Sequence, residues 1–128
     1  MWEEVKNKLK KPATCLSGGQ QQCLCIGRAL ALRPPVLLMD EPTTNLDPVN
    51  AAKIEELIRK LSRETTIIIV THDPEQAKRV ANRGAIVFKG KIVEENFIDR
   101  LFTVSYYELI QKLTMKERMI VEALQETR

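Results

Sequence analysis

Val36-Leu37-Leu38-Met39-Asp40-Glu41, lying downstream of Leu16-Ser17-Gly18-Gly19-Gln20, is the stretch that decides the fold. Val36–Met39 is a short continuous apolar run, the pattern of a strand buried on both faces. Pro34 and Pro35 bound it on one side and Pro42 on the other. Asp40 and Glu41 therefore emerge at the strand's C-terminal end, which in open α/β sheets faces the ligand. Adjacent carboxylates there suit two tasks. One can hold Mg²⁺ through water, and the other can orient or deprotonate an attacking water. An Asp-Glu pair by itself also fits a solvated turn, so its weight comes from the strand before it.

Upstream, Ser17-Gly18-Gly19-Gln20 reads as a helix start, with Ser17 as N-cap and Gln20 completing a capping box. Cys23, Ile26, Gly27 and Leu30 then recur at the spacing of one helix face. Two glycines in the first turn leave N–H groups uncovered, and a helix N-terminus attracts oxyanions. An ordinary capped helix would show the same four residues. Downstream, Leu46-Asp47-Pro48 precedes a helix with Ala51, Ile54, Leu57, Ile58 and Leu61 along one side. Thr66-Ile67-Ile68-Ile69-Val70 is a β-branched run of strand type. Strand, helix, strand predicts a right-handed parallel crossover. It brings Glu41 and His72, the sole histidine of the chain, to the same sheet edge. A surface histidine at a strand end is the plainer reading of His72 alone.

These pieces together resemble the C-terminal half of an ATP-binding cassette (ABC) subunit. Leu16–Gln20 matches the family signature and Val36–Glu41 its Walker B strand. Thr44–Asp47 matches the D-loop, and Val70–Asp73 the histidine switch. The order and spacing of all four agree with the family. The sequence contains no Gly-rich loop ending in Lys-Ser or Lys-Thr, the phosphate loop of the other half. The fold the resemblance implies is α/β, a partial P-loop NTPase fold. It has parallel strands with flanking helices, a β-hairpin and a helical tail.

The resemblance carries roles to individual positions. Two cassettes sandwich ATP head to tail, so Leu16, Ser17, Gly18, Gly19 and Gln20 would act in trans on a partner's nucleotide. Asp40 would hold Mg²⁺ through water, and Glu41 would polarise the attacking water. His72 would contact the γ-phosphate and link it to Glu41, while Asp47 would bridge the two composite sites. Such contacts act by positioning and charge stabilisation. The implied partners are a second ATP-binding subunit and membrane permease subunits, at the cytoplasmic face of the inner membrane. The isolated chain is expected to be incompetent for hydrolysis. An alternative is a non-catalytic truncated cassette that only associates with intact subunits.

Two branches of the family share these motifs: transporter subunits and coiled-coil DNA-repair ATPases. The short connection closing in Arg28-Ala29-Leu30 and Leu32-Arg33-Pro34 resembles the transporter branch. Gln20-Gln21-Gln22, Leu24-Cys25-Ile26 and Lys53–Ile58 are similar to the phosphate-import type. No heptad run supports the repair branch. The chain departs from the family at Cys23, where Arg or Lys is usual, and at Gly27, where Ala is usual. A degraded or split reading frame is one reading of those departures.

With 128 residues the chain can bury a modest core. Its net charge of +3 is spread through interspersed acids and bases, and aromatics are few, which argues against a nucleic-acid surface. Cys15, Cys23 and Cys25 form no C-x-x-C pair, so free thiols in a reducing compartment are expected. No run approaches membrane-span length, so direct insertion is not expected. Residues 1–95 read as the cassette part and 96–128 as a helical extension. In the first part, Pro74 opens a helix and Ala85–Glu94 reads as a hairpin turning at Lys89-Gly90. In the second, Phe97, Ile98, Leu101 and Phe102 suggest a short helix. Capping boxes at Ser105–Glu108 and Thr114–Glu117 open two more helices. The last of these carries Met115, Met119, Ile120, Ala123 and Leu124 on one face.

Overall fold

The parallel crossover appears as β1 (Val36–Asp40), α3 (Pro48–Leu61) and β2 (Thr66–Thr71), with β1 and β2 paired in parallel from Val36↔Thr66 to Asp40↔Val70. The computed structural model describes residues 2–102 and 119–123. Before β1 come α1 (Trp2–Val5) and α2 (Gly18–Leu30); after β2 come α4 (Pro74–Val80), β3 (Arg83–Phe88), β4 (Lys91–Phe97) and α5 (Ile98–Leu101). A further strand, β5 (Met119–Ala123), completes a five-stranded sheet of order β1-β2-β5-β3-β4.

Capping sets the helix starts. Ser17 and Gln20 form the expected box at α2, and Asp73 accepts from the Glu75 N–H at α4. Both α3 and α4 carry proline in the first turn, where no N–H is missed. The β3–β4 hairpin turns on Lys89 and Gly90, both with positive φ (48° and 76°). That is the turn whose twist matches a two-residue hairpin.

Helices cover one face of the sheet. Leu37, Met39, Ile67 and Ile69 point into a core shared with Ile26 of α2, Ile54 and Ile58 of α3, and Ala77 and Val80 of α4. Burial on both faces, expected of β1, is not observed. Its pattern alternates, with Val36 43% and Leu38 72% exposed. The reason is position: β1 is an edge strand, and among the described residues helices pack on one side only. Unpaired main-chain groups and apolar side chains on one edge favour self-association.

The helix expected through Met119, Ile120 and Ala123 is corrected by the structure. Met119–Ala123 is a strand, antiparallel to β2 on one side and to β3 on the other. Two ladders outweigh the local helical spacing, since a strand between two edges satisfies its backbone on both sides. The capping boxes at Ser105–Glu108 and Thr114–Glu117 lie outside the described residues. The expected short helix is α5, whose Ile98 and Leu101 are buried in the common core.

Gly27 sits in the interior of α2, and a Cβ added there meets nothing within 4 Å. Gly27→Ala is therefore expected to stabilise the protein by about 1 kcal/mol through helix propensity alone. Urea denaturation, read as a higher midpoint at unchanged slope, checks this.

Candidate functional site

The ends of β1 and β2 bring Glu41 and His72 into contact. The Glu41 N–H donates to the Val70 carbonyl at 2.8 Å, extending the parallel ladder by one rung. Glu41 itself has a positive φ of 50°. With the carboxylate ionised, His72 Nδ1–H donates to Glu41 Oε1 at 2.7 Å. The Glu41 side chain is 20% exposed and that of His72 65%, so the pair opens to solvent on the histidine side.

The opposite carboxylate oxygen has its own donor. Thr44 Oγ1 donates to Glu41 Oε2 at 3.0 Å. Behind it, Gln76 is buried at 1% exposure, and its Nε2 donates to Thr43 Oγ1 at 2.5 Å. This ties the turn after β1 to α4. Gln76 Oε1 is buried without a hydrogen-bond partner among the described residues. Thr43 and Gln76 were not singled out from the sequence, and Thr44 only as the first residue of the D-loop match. Nothing in the sequence marks Thr43 or Thr44 as a partner of Glu41 or Gln76, and Gln76 is recognisable only by its burial. Together these bonds hold the carboxylate plane by both oxygens. Each oxygen keeps a second lone pair that a water can meet.

Asp40, at the end of β1, is solvent-exposed beside Glu41. Among the described residues no group of three or more His, Cys, Asp or Glu side chains could hold a metal ion. A single hydrated carboxylate still fits Mg²⁺, which keeps several waters and takes its remaining ligands from substrate phosphates.

The signature residues stand at the start of α2. Leu16 leads into the turn before α2, and Ser17–Gln20 form its first turn. Gly18 and Gly19 are tightly packed: an added Cβ would lie 3.2 Å from Leu46 Cδ2 and 3.0 Å from the Asn50 side chain, respectively. The glycines thus also serve packing of α2 against the loop before α3, and Gly19 is buried. A cleft of about 490 Å³ between α2 and α3 begins at Ser17 and Gly19 and runs past Cys23, Ile26 and Ile54. All three cysteines are free.

Asp47 caps α3. Its Oδ1 accepts from the Val49 and Asn50 N–H groups at 3.1 Å, and its Oδ2 from Asn50 Nδ2 at 2.5 Å. The Asn50 main-chain and side-chain bonds, then that of Val49, lower the Asp47 pKa below the ordinary value. A depressed pKa means stability that is present above the usual aspartate range and lost as pH falls through the folded value. Asp47→Ala should lower the melting temperature at neutral pH, with the deficit closing in acid. Asp47→Asn, still a good cap, should remove only the pH-dependent part. Melting curves from pH 7 to pH 2 test both.

Comparison with known proteins adds the following. The family described as "AAA domain, putative AbiEii toxin, Type IV TA system" matches residues 1–75. A protein of Pyrobaculum aerophilum named "Phosphate import ATP-binding protein PstB" is 54% identical over 112 residues, covering 88% of this chain and 45% of that protein. The chain therefore spans less than half the length of this curated relative. Among solved structures, a metal-chelate type ABC transporter in an inward-facing conformation superposes with a TM-score of 0.72. Its identity is 26%, over 88% of this chain and 50% of that one. An ATP-binding cassette described as a dimer in a post-hydrolysis state bound to ADP and Pi is 40% identical. Its TM-score is 0.56, over 65% of this chain and 36% of that one.

Proposed function

The chain belongs to the ATP-binding cassette ATPases of the AAA-domain family, and from this we propose that it forms the signature and Walker B portion of an ATP-hydrolysing importer subunit for inorganic phosphate. The observation that carries the reading is the 2.7 Å contact between Glu41 and His72 at the sheet edge. Phosphate as cargo rests on the relative named for phosphate import. A second cassette as partner draws on the dimeric structure bound to ADP and Pi, and a membrane partner on the transporter structure. Among the described residues no helix is long and apolar enough to cross a membrane, so membrane association would run through permease subunits.

In this reading Glu41 accepts a proton from the attacking water, with His72 and Thr44 holding its carboxylate. His72 Nε2 turns toward the γ-phosphate while Nδ1–H stays on Glu41. Asp40 would hold Mg²⁺ through water, and the ion would supply charge neutralisation on the phosphates. Ser17, Gly18, Gly19 and Gln20 offer main-chain and hydroxyl donors to nucleotide on a partner cassette, Leu16 leads into that turn, and Asp47 lies at the junction of the two sites. Its carboxylate is already engaged in capping, so the junction contact falls to its remaining lone pairs or to the neighbouring main chain. Residues 1–95 carry this chemistry, and beyond them α5 and β5 add to the fold.

The test adds a recombinant strand–phosphate loop–helix segment to the purified chain and follows Mg²⁺-dependent phosphate release from ATP. Hydrolysis that needs both components is the expected result. Hydrolysis by the chain alone that survives loss of the Ser17 hydroxyl and the Glu41 carboxylate would overturn the reading. Phosphate uptake by cells lacking their own importer ATPase, restored by the reassembled cassette, tests the cargo.

A further inference from the structure

Thr43 is the meeting point of two consecutive turns. The first runs from Glu41 to Thr44 and is closed by the Thr44 N–H, which donates to the Glu41 carbonyl at 3.2 Å. Pro42 takes its second position, where a fixed φ favours such a turn, and its side chain is fully buried. The second turn runs from Thr43 to Leu46, closed by the Leu46 N–H on the Thr43 carbonyl at 3.1 Å. Asn45 takes its third position with a φ of 63°, a conformation that asparagine tolerates better than most residues. The first turn presents the Glu41 carboxylate. The second carries Leu46 to its place beside Gly18 in the signature.

Glu41 enters the first turn with a φ of 50°. Strained backbone of this kind persists only where its surroundings over-determine it. Thr44 contributes to that restraint, but it belongs to the same turn and moves with it. Gln76 is different. It lies 33 residues further along the chain and reaches Thr43 from α4. That helix is anchored separately at both ends: Asp73 caps its start, and Arg79 near its end grips Glu55 of α3.

Glutamine is also an expensive filler at this position. Gln76 is 1% exposed, and its Oε1 has no hydrogen-bond partner among the described residues. Leucine or methionine would fill a similar volume and leave no buried acceptor unpaired. An amide buried for the sake of one bond points to that bond as its use.

We propose that Gln76 is a positioning residue, whose bond to Thr43 pins the pivot of the two turns and so keeps Glu41 in its left-handed conformation with Oε1 on His72. Gln76 acts through Thr43 and touches none of the reacting atoms. The kinetic side of this inference rests on the cassette reading above; the structural side does not.

The experiment reads both sides. His72 is the sole histidine, so the ¹⁵N signals of its ring nitrogens are unambiguous in the full chain. The parent should show the tautomer with hydrogen on Nδ1, held by Glu41. Gln76→Leu and Thr43→Val should both lose that preference, while Thr43→Ser, which retains the hydroxyl, should keep it. The urea midpoint of Gln76→Leu should equal or exceed that of the parent, because the unpaired acceptor leaves together with the bond. With the strand–phosphate loop–helix segment added, Gln76→Leu and Thr43→Val should each lower kcat by roughly ten- to a hundredfold at unchanged nucleotide KM, as a misplacement of about 1 Å can do. The double variant should be no slower than either single one, since both cut the same bond. A parental tautomer signature or a parental kcat in Gln76→Leu overturns the proposal. So does a loss of kcat no larger than a fall in the folded fraction accounts for. Loss of the tautomer in the variants, with no hydrolysis by any form, would keep the brace and sink the cassette reading. Equal hydrolysis by parent and variants would do the reverse.

Discussion

Glu41→Gln in the reassembled cassette lowers the rate of ATP hydrolysis by roughly 100- to 10,000-fold, the range supplied by a positioned general base. Nucleotide affinity stays unchanged. The amide has the shape of the carboxylate, so its oxygen can still accept from His72 Nδ1–H, and the turn closed by Thr44 can persist. What disappears is the site proposed to take the proton from water. Phosphate release measured beside fluorescent-nucleotide binding separates the two effects. A variant that hydrolyses ATP at the parent rate would remove Glu41 from the chemistry. Thr44→Ala gives a graded control. It frees one carboxylate oxygen without touching the base, so it should lower kcat by less than Glu41→Gln and leave nucleotide binding intact.

Arg79→Ala destabilises the fold by about 3 kcal/mol, the low end of the range for breaking a buried ion pair. Glu55 on α3 is buried, with 6% of its side chain exposed. Arg79 on α4 grips it with both forks, Nε to Oε2 and Nη2 to Oε1, each at 2.8 Å. The same guanidinium is drawn further toward its charged form, first by the hydrogen bond to Glu55. Removing it strands a carboxylate between two helices. The Arg79 side chain is half exposed, so water reaches part of the pair and holds the loss to the lower end. Replacing both partners with Leu should recover most of the loss, because paired apolar groups of similar size leave nothing unsatisfied. Urea midpoints for Glu55→Leu, Arg79→Leu and the double variant complete the cycle.

Much of this arrangement was legible in the sequence, for reasons that differ by element. β1 and β2 were readable because apolar and β-branched runs ended in acidic or His-Asp residues. α2, α3 and α4 were readable because their caps and prolines are local signals acting within one turn. The meeting of Glu41 and His72 followed from parallel pairing, since two strands of one direction end on one edge. β5 was not legible. Its spacing is helical, and only the two neighbouring ladders make it a strand. The exposed face of β1 was also missed, because an apolar run does not say how many of its faces find a partner. The brace of Gln76, Thr43 and Thr44 joins side chains far apart in the chain without any repeating pattern. The Glu55–Arg79 pair was hidden for the same reason.

Glu41 holds a left-handed backbone, a region in which an L-residue bears about 1–2 kcal/mol of strain. Glycine carries no such penalty there. A laboratory screen that ranks variants of this protein by heat resistance alone would favour glycine at position 41. Its winners would relax the backbone at the cost of the carboxylate that meets His72 and Thr44, the group proposed to take the proton from water.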